Sequence, residues 1–170
     1  MEKEIINKVA NSGLVNLDLA DYYPKGERIV YDIKQNLWQE FVLKEKEFRQ
    51  FVKENDWSVY QDKYVALVNS ADAIIPPWAF MVLTNALAPF AKEVVSGDLE
   101  TLETVIFTNS LEKNLNPADF KDQRVIIKGC GEIPISQSAY TKAVNLLKPV
   151  VKSLMYGEAC SAVPVYKKAK

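Results

Sequence analysis

No histidine occurs anywhere in the 170-residue chain. That absence removes Ser-His-Asp triads, Cys-His pairs, the His-containing zinc sets and the usual general base near neutral pH. Cysteine is almost as scarce. Cys130 and Cys160 are too few for a disulfide framework, so in a reducing compartment they are expected as free thiols unless they serve redox or metal chemistry. No apolar run approaches the roughly 18 residues of a membrane span, and the opening Met1-Glu2-Lys3-Glu4-Ile5-Ile6 lacks the apolar core of a secretory leader. A cytoplasmic protein with no membrane partner is expected. An excess of one charge is missing too: Lys+Arg 21 stands against Asp+Glu 22, where a nucleic-acid or anionic-membrane binder needs a basic surplus. Lys128-Gly129-Cys130-Gly131 is too short for a phosphate-cradling glycine loop and lacks the spacing of one.

What is there reads as one α/β domain over 1–170, long enough to bury roughly 70% of its unfolded surface without a metal or disulfide. Residues 1–60 form an N-terminal α+β segment, with Gly13, Pro24 and Gly26 as punctuation and Ile29-Val30-Tyr31-Asp32-Ile33 as a short strand. Its helix runs from Glu45 to Asn55, where Phe48, Phe51 and Val52 fall at helical spacing. From Asp62 the pattern changes to buried strands: Tyr64 to Val68, a helical segment 76–91, then Val94-Val95-Ser96-Gly97. A second series follows, with a strand at Val125 to Gly129, a helix over 136–151 and a strand at Ser153 to Gly157. Two such units need right-handed crossovers, hence parallel strands in a layered sheet.

The two series align without a gap at an offset of sixty. Asp62, Val65, Ile75, Ala79, Asn85, Leu87, Pro89, Lys92 and Gly97 meet identical residues, nine matches within 62–97 where ordinary composition gives about two. Two tandem βαβ repeats, 61–103 and 121–163, are therefore expected. Pro89 and Pro149 mark helix ends, Lys92 and Lys152 complement the helix dipole there, and Gly97 and Gly157 close the second strand of each repeat. The C-terminal Lys167, Lys168 and Lys170 read as a solvated end.

Ligands of parallel α/β sheets bind beyond the carboxyl ends of the strands. The repeat puts Ser70, Asp72, Asp98 and Glu100 there in the first unit, and Cys130, Glu132, Glu158 and Cys160 in the second. Two readings stay open. The acids cap helices and sit in solvated turns while the cysteines pack as small hydrophobes. Alternatively, converging carboxylates share a cation, and Cys130 and Cys160 ligate a divalent metal such as zinc or cycle as a thiol redox pair. The helix over 76–91 is apolar nearly all round, with Trp78, Met81, Val82 and Ala88 where the second helix is polar. Its cover is either the N-terminal helix or a second subunit in a homodimer, which makes a non-catalytic scaffold or interaction protein the alternative to a metal or small-ligand site.

The stretches Ser70-Ala71-Asp72-Ala73-Ile74-Ile75-Pro76-Pro77-Trp78-Ala79, Gly97-Asp98-Leu99-Glu100-Thr101-Leu102-Glu103, Lys128-Gly129-Cys130 and Gly157-Glu158-Ala159-Cys160-Ser161 resemble the bacterial domain of unknown function 2480 family. The resemblance runs over almost the whole chain, from Asn7-Lys8-Val9 to Val165-Tyr166-Lys167. It implies family membership and carries over no activity and no catalytic residue.

Overall fold

The computed structural model describes residues 13–128 and 131–169. The fold is α/β. The strands are β1 (Leu14–Leu17), β2 (Arg28–Asp32), β3 (Tyr64–Val68), β4 (Glu93–Ser96), β5 (Arg124–Ile127), β6 (Ser153–Tyr156) and β7 (Val163–Lys167); the helices are α1 (Glu45–Glu54), α2 (Pro77–Leu87), α3 (Leu99–Asn114) and α4 (Gln137–Leu147). Where one layered sheet was expected, there are two, ordered β1-β5-β6-β7 and β2-β3-β4. All pairings are parallel except β6 with β7. The N-terminal strands do not build a layer of their own: β1 adds an edge to the β5-α4-β6 unit and β2 adds one to β3-α2-β4. The chain divides accordingly into a continuous unit, Lys25–Ile106, and a discontinuous unit made of the described residues through Pro24 and those from Phe107 on.

The same local bonds recur sixty residues apart. Asp62 and Asp122 both adopt left-handed backbone, φ 59° and 57°, which aspartate tolerates better than most residues. Their N–H groups donate to Phe90 and Val150 carbonyls at 3.0 and 2.8 Å, tying each strand's start to the turn after the following helix. At the other end, Gly97 and Gly157 donate to Leu67 and Ile127. Gly97 sits at φ +142°, and a Cβ there would meet the Thr101 side chain at 2.7 Å.

Each unit has its own core. In the continuous unit Ala79, Leu83 and Leu87, one helical stripe of α2, bury against Val65, Leu67 and Tyr31, while Ala66 faces the other way against Leu102 and Ile106 of α3. In the discontinuous unit Ala139, Ala143 and Leu147 of α4 pack with Val125, Ile127 and Leu154, joined by Phe107, Leu111 and Leu115 of α3. Thus α3 carries two apolar stripes, Leu102/Ile106 and Phe107/Leu111/Leu115, one for each core. Two stripes erase the single periodicity that betrays an amphipathic helix, and the sequence indicates only a start near Leu99. The tail leaves Lys167 and Lys168 exposed, as expected of a solvated end, and Lys170 lies outside the described residues. Val163-Pro164-Val165-Tyr166-Lys167 forms β7, and its proline is compatible with an edge strand because no outer partner asks for its missing N–H.

The apolar helix α2 finds its cover within the chain on one side. Phe48 of α1 is buried and lies edge-on to Trp78 at 5.9 Å, the Arg49 guanidinium stacks over Trp78 at 5.2 Å, and Val52 and Val82 join the same core. Met81, one of the four apolar residues of that face, remains 70% exposed.

Two substitutions separate these environments. Trp78→Lys is expected to cost about 2 kcal/mol or more through lost burial and ring packing. Met81→Lys is expected to fall within about 0.5 kcal/mol of wild type. Urea denaturation reads both, and equal effects would contradict the assigned cover. Gly97→Ala should cost about 1–3 kcal/mol, because it strains the backbone and clashes with Thr101, and the Gly97→Ala/Thr101→Ser pair should recover part of that loss in the same assay.

Candidate functional site

The residues expected at one sheet edge are shared between two sheets. Ser70, Asp72, Asp98 and Glu100 belong to the continuous unit; Glu132, Glu158 and Cys160 belong to the discontinuous one. All seven are exposed. Asp98 caps α3, its carboxylate accepting from the Thr101 N–H at 2.8 Å and the Thr101 hydroxyl at 2.7 Å, and these bonds hold its pKa below the ordinary value. Ser70 donates through both its hydroxyl and its N–H to Asp32. Cys160 is an exposed free thiol, and Cys130 lies outside the described residues. Among the described residues, no group of three or more Cys, Asp or Glu side chains is arranged to hold a metal ion.

The carboxyl edge of the discontinuous unit nevertheless holds a built arrangement. Register pairs Leu17 of β1 with Ile127 of β5, so the next residues, Asp18 and Lys128, emerge side by side. Lys128 Nζ donates to Asp18 Oδ2 at 2.7 Å, while Asp18 Oδ1 accepts from the Ala20 N–H at 2.9 Å and caps a short 3-10 turn, Leu19–Tyr22. The Lys128 hydrogen bond, then the Ala20 N–H, lower the Asp18 pKa against an opposing effect of burial. Asp18 in turn raises that of Lys128, with smaller help from the charges of Glu158 and Asp21. The Tyr140 hydroxyl donates to the Lys128 carbonyl at 3.4 Å, and its ring meets Tyr156 edge-on at 5.4 Å.

Two hollows share the Asp18–Lys128 pair. One, of about 340 Å³, is walled by Ile133, Pro134, Ile135, Tyr140 and Tyr156. The other, of about 330 Å³, is walled by Asn16, Asp21, Gly157 and Glu158. The first is aromatic and aliphatic, the second polar and acidic.

The continuous unit has a hollow of about 310 Å³ at the corresponding edge, lined by Val68, Phe80, Ser96, Gly97 and Asp98. Each of these stands sixty residues before a residue of the other edge: Lys128, Tyr140, Tyr156, Gly157 and Glu158. The scaffold therefore accepts valine, phenylalanine and serine where the discontinuous unit has lysine and two tyrosines. Asp32 corresponds to Asp18 through the register of β2 with β3, caps the turn Ile33–Asn36 and bonds Ser70 instead of a lysine. Sequence reading missed Asp18, Asp32 and Lys128. The signal was present in Asn16-Leu17-Asp18-Leu19 and Val30-Tyr31-Asp32-Ile33, two alternating runs broken by an aspartate.

Burial raises the Asp32 pKa, but the Ser70 hydroxyl and the N–H groups of Lys34 and Ser70 outweigh it, so the net direction is down. A carboxylate depressed in the folded state contributes stability that is present above the unfolded value of about 3.9 and is lost as pH falls through its folded value. Urea midpoints should therefore fall as the pH is lowered below about 4. Asp18→Asn and Asp32→Asn should each flatten that acid limb while leaving the slope above pH 6 unchanged; a variant whose midpoint tracks wild type in parallel down to acid pH would contradict the assignment.

No curated protein and no solved structure matches the chain. A family described as "Protein of unknown function (DUF2480)" matches residues 3–168, nearly the whole length and both units. The chain belongs to the DUF2480 family.

Proposed function

We propose that the carboxyl edge of the discontinuous unit binds a small zwitterion with an apolar side chain, such as an α-amino acid. The observation that carries this reading is the substitution of Lys128, Tyr140 and Tyr156 for Val68, Phe80 and Ser96 at otherwise corresponding positions of the two edges. The other unit forms the same strand-helix-strand series with Val68, Phe80 and Ser96 at these positions, and all three residues line one hollow. Lys128 offers a cation to a carboxylate. Asp21 and Glu158 in the adjoining hollow offer acceptors to an ammonium group. Ile133, Ile135 and the tyrosine rings offer apolar surface to a side chain, and both volumes suit a ligand of this size. The recurrence of the edges at sixty positions is in keeping with an internal duplication in which one copy acquired polar groups while the other kept an apolar lining.

The test is calorimetric titration with apolar α-amino acids, alongside metal analysis of protein purified without chelators. Saturable binding is expected for the zwitterion, with a loss of about tenfold or more for the decarboxylated amine and for Lys128→Met, the scale of a lost charge-assisted hydrogen bond. Tyr140→Ala should weaken binding without altering the carboxylate dependence. Absence of binding by every amino acid up to about 10 mM overturns the reading. Stoichiometric zinc lost on Cys160→Ser also overturns it, in favour of metal chemistry at Glu158 and Cys160.

A further inference from the structure

In the continuous unit β2 ends its sheet: it pairs with β3 on one side, and no described strand pairs with it on the other. Register fixes what the open side offers. The Tyr64 N–H donates to the Glu27 carbonyl and Arg28 stands opposite Tyr64, so the backbone groups of Glu27, Ile29 and Tyr31 turn toward β3, and those of Arg28, Val30 and Asp32 turn away. The Asp32 carbonyl accepts from the Gln35 side chain. The Val30 N–H and C=O have no partner among the described residues. Ile29 and Tyr31 pack in the core with α2, which leaves the side chains of Arg28, Val30 and Asp32 on the opposite face. Val30 is 43% exposed there, although Ala66, its neighbour across the ladder, is fully buried.

An open edge is a template for another strand, and folds ordinarily blunt it with a proline, a bulge or a lysine. The other sheet does so at β7, which carries Pro164, Lys167 and a register shift against β6. β2 has none of these over Arg28–Asp32, and its register with β3 is unbroken. Its two ends carry opposite charges. Laid antiparallel on a copy of itself with outward backbone groups opposed, the strand centred on Val30 sets each Arg28 opposite the other copy's Asp32. A slip of two residues sets Val30 opposite a charge, and a slip of four sets Arg28 on Arg28 or Asp32 on Asp32. Opposite charges stabilise facing positions of an antiparallel pair and like charges destabilise them, so one register stands out. Arg28 already bonds Glu103, and Asp32 already accepts from Ser70. The charges therefore select the register, while backbone hydrogen bonds and burial of Val30 supply the attraction.

We infer that β2 is a self-association edge: a second copy of this chain adds its own β2 antiparallel about a two-fold axis through Val30, giving one sheet ordered β4-β3-β2-β2-β3-β4. This surface is distinct from the apolar face of α2, whose Trp78 lies under Phe48 of α1. Five residues a side bury less than the roughly 1,200 Å² of a stable interface, so association is expected in the micromolar range.

Light scattering and amide hydrogen exchange on the wild-type chain, from about 5 µM to about 500 µM, test it. The mass is expected to rise from one chain toward two, and exchange of the Val30 N–H to slow about tenfold over the same range. The Ile29 and Tyr31 N–H groups, bonded to β3, should be slow throughout. Val30→Lys should stay monomeric at every concentration, and Met81→Lys, on the exposed side of α2, should dimerise as wild type does. Any of five results overturns the inference: a wild-type mass fixed at one chain, growth past two chains, a dimer whose Val30 N–H exchanges equally fast at both extremes, a Val30→Lys variant that dimerises like wild type, or loss of the dimer in Met81→Lys. A Val30 N–H equally protected at every dilution also overturns it, because the chain itself then covers the edge. If Val30→Lys fails to fold, the wild-type exchange series decides.

Discussion

The architecture depends on parallel pairing between short N-terminal strands and strands far along the chain. Four residues of β1 pair with β5, and the Asp18–Lys128 ion pair that follows spans 110 positions of sequence. Closing a flexible loop of that length would cost about 4 kcal/mol in entropy. Burial of Leu17 and Leu19, at about 1.5–3 kcal/mol each, offsets it. Folding of Lys25–Ile106 as a continuous unit lowers the cost further, because it replaces most of the loop by a compact body.

The same pairing brings the polar residues of the carboxyl edge together. Asp18 stands just past the end of β1 and Lys128 just past the end of β5. Around that ion pair the polar groups are partly spoken for: one Asp18 oxygen caps a turn, the other holds Lys128, and Tyr140 reaches back to the Lys128 carbonyl. The ion pair holds the lysine beside Asp18 at the mouth of a hollow, with its side chain still 43% exposed. In the other unit Val68 stands in the place of Lys128, and Asp32 accepts from Ser70.

Charge is distributed along the sheet in a way the whole-chain balance conceals. Acids gather with Lys128 at the carboxyl edge, and Arg124, Lys152, Lys167 and Lys168 gather at the amino end of β5 and β6. A near-neutral total does not describe local fields, which depend on where charges meet. The tail lysines illustrate this. Lys167 and Lys168 stay exposed, as a solvated end would leave them, while the antiparallel pairing of β7 with β6 sets their backbone beside Ser153 and Lys152.

Local pattern was enough for much of the fold. The apolar runs of β3 and β5, the stripes Ala79/Leu83/Leu87 and Ala139/Ala143/Leu147, and the turn residues around Asp62 and Asp122 announce strand, helix and strand at fixed places, because their periods arise within a few residues. The family resemblance was legible for the same reason, since it rests on contiguous stretches. Which strands pair was settled only by long-range packing: the split into two sheets, the division of α3 between two cores, the return of β7 and the meeting of Asp18 with Lys128 all join residues with no shared local signal. The expected cluster of acids and thiols rested on position after a strand alone. Whether such residues converge is decided by which sheet each strand joins, and sequence periodicity carries no record of strand partners.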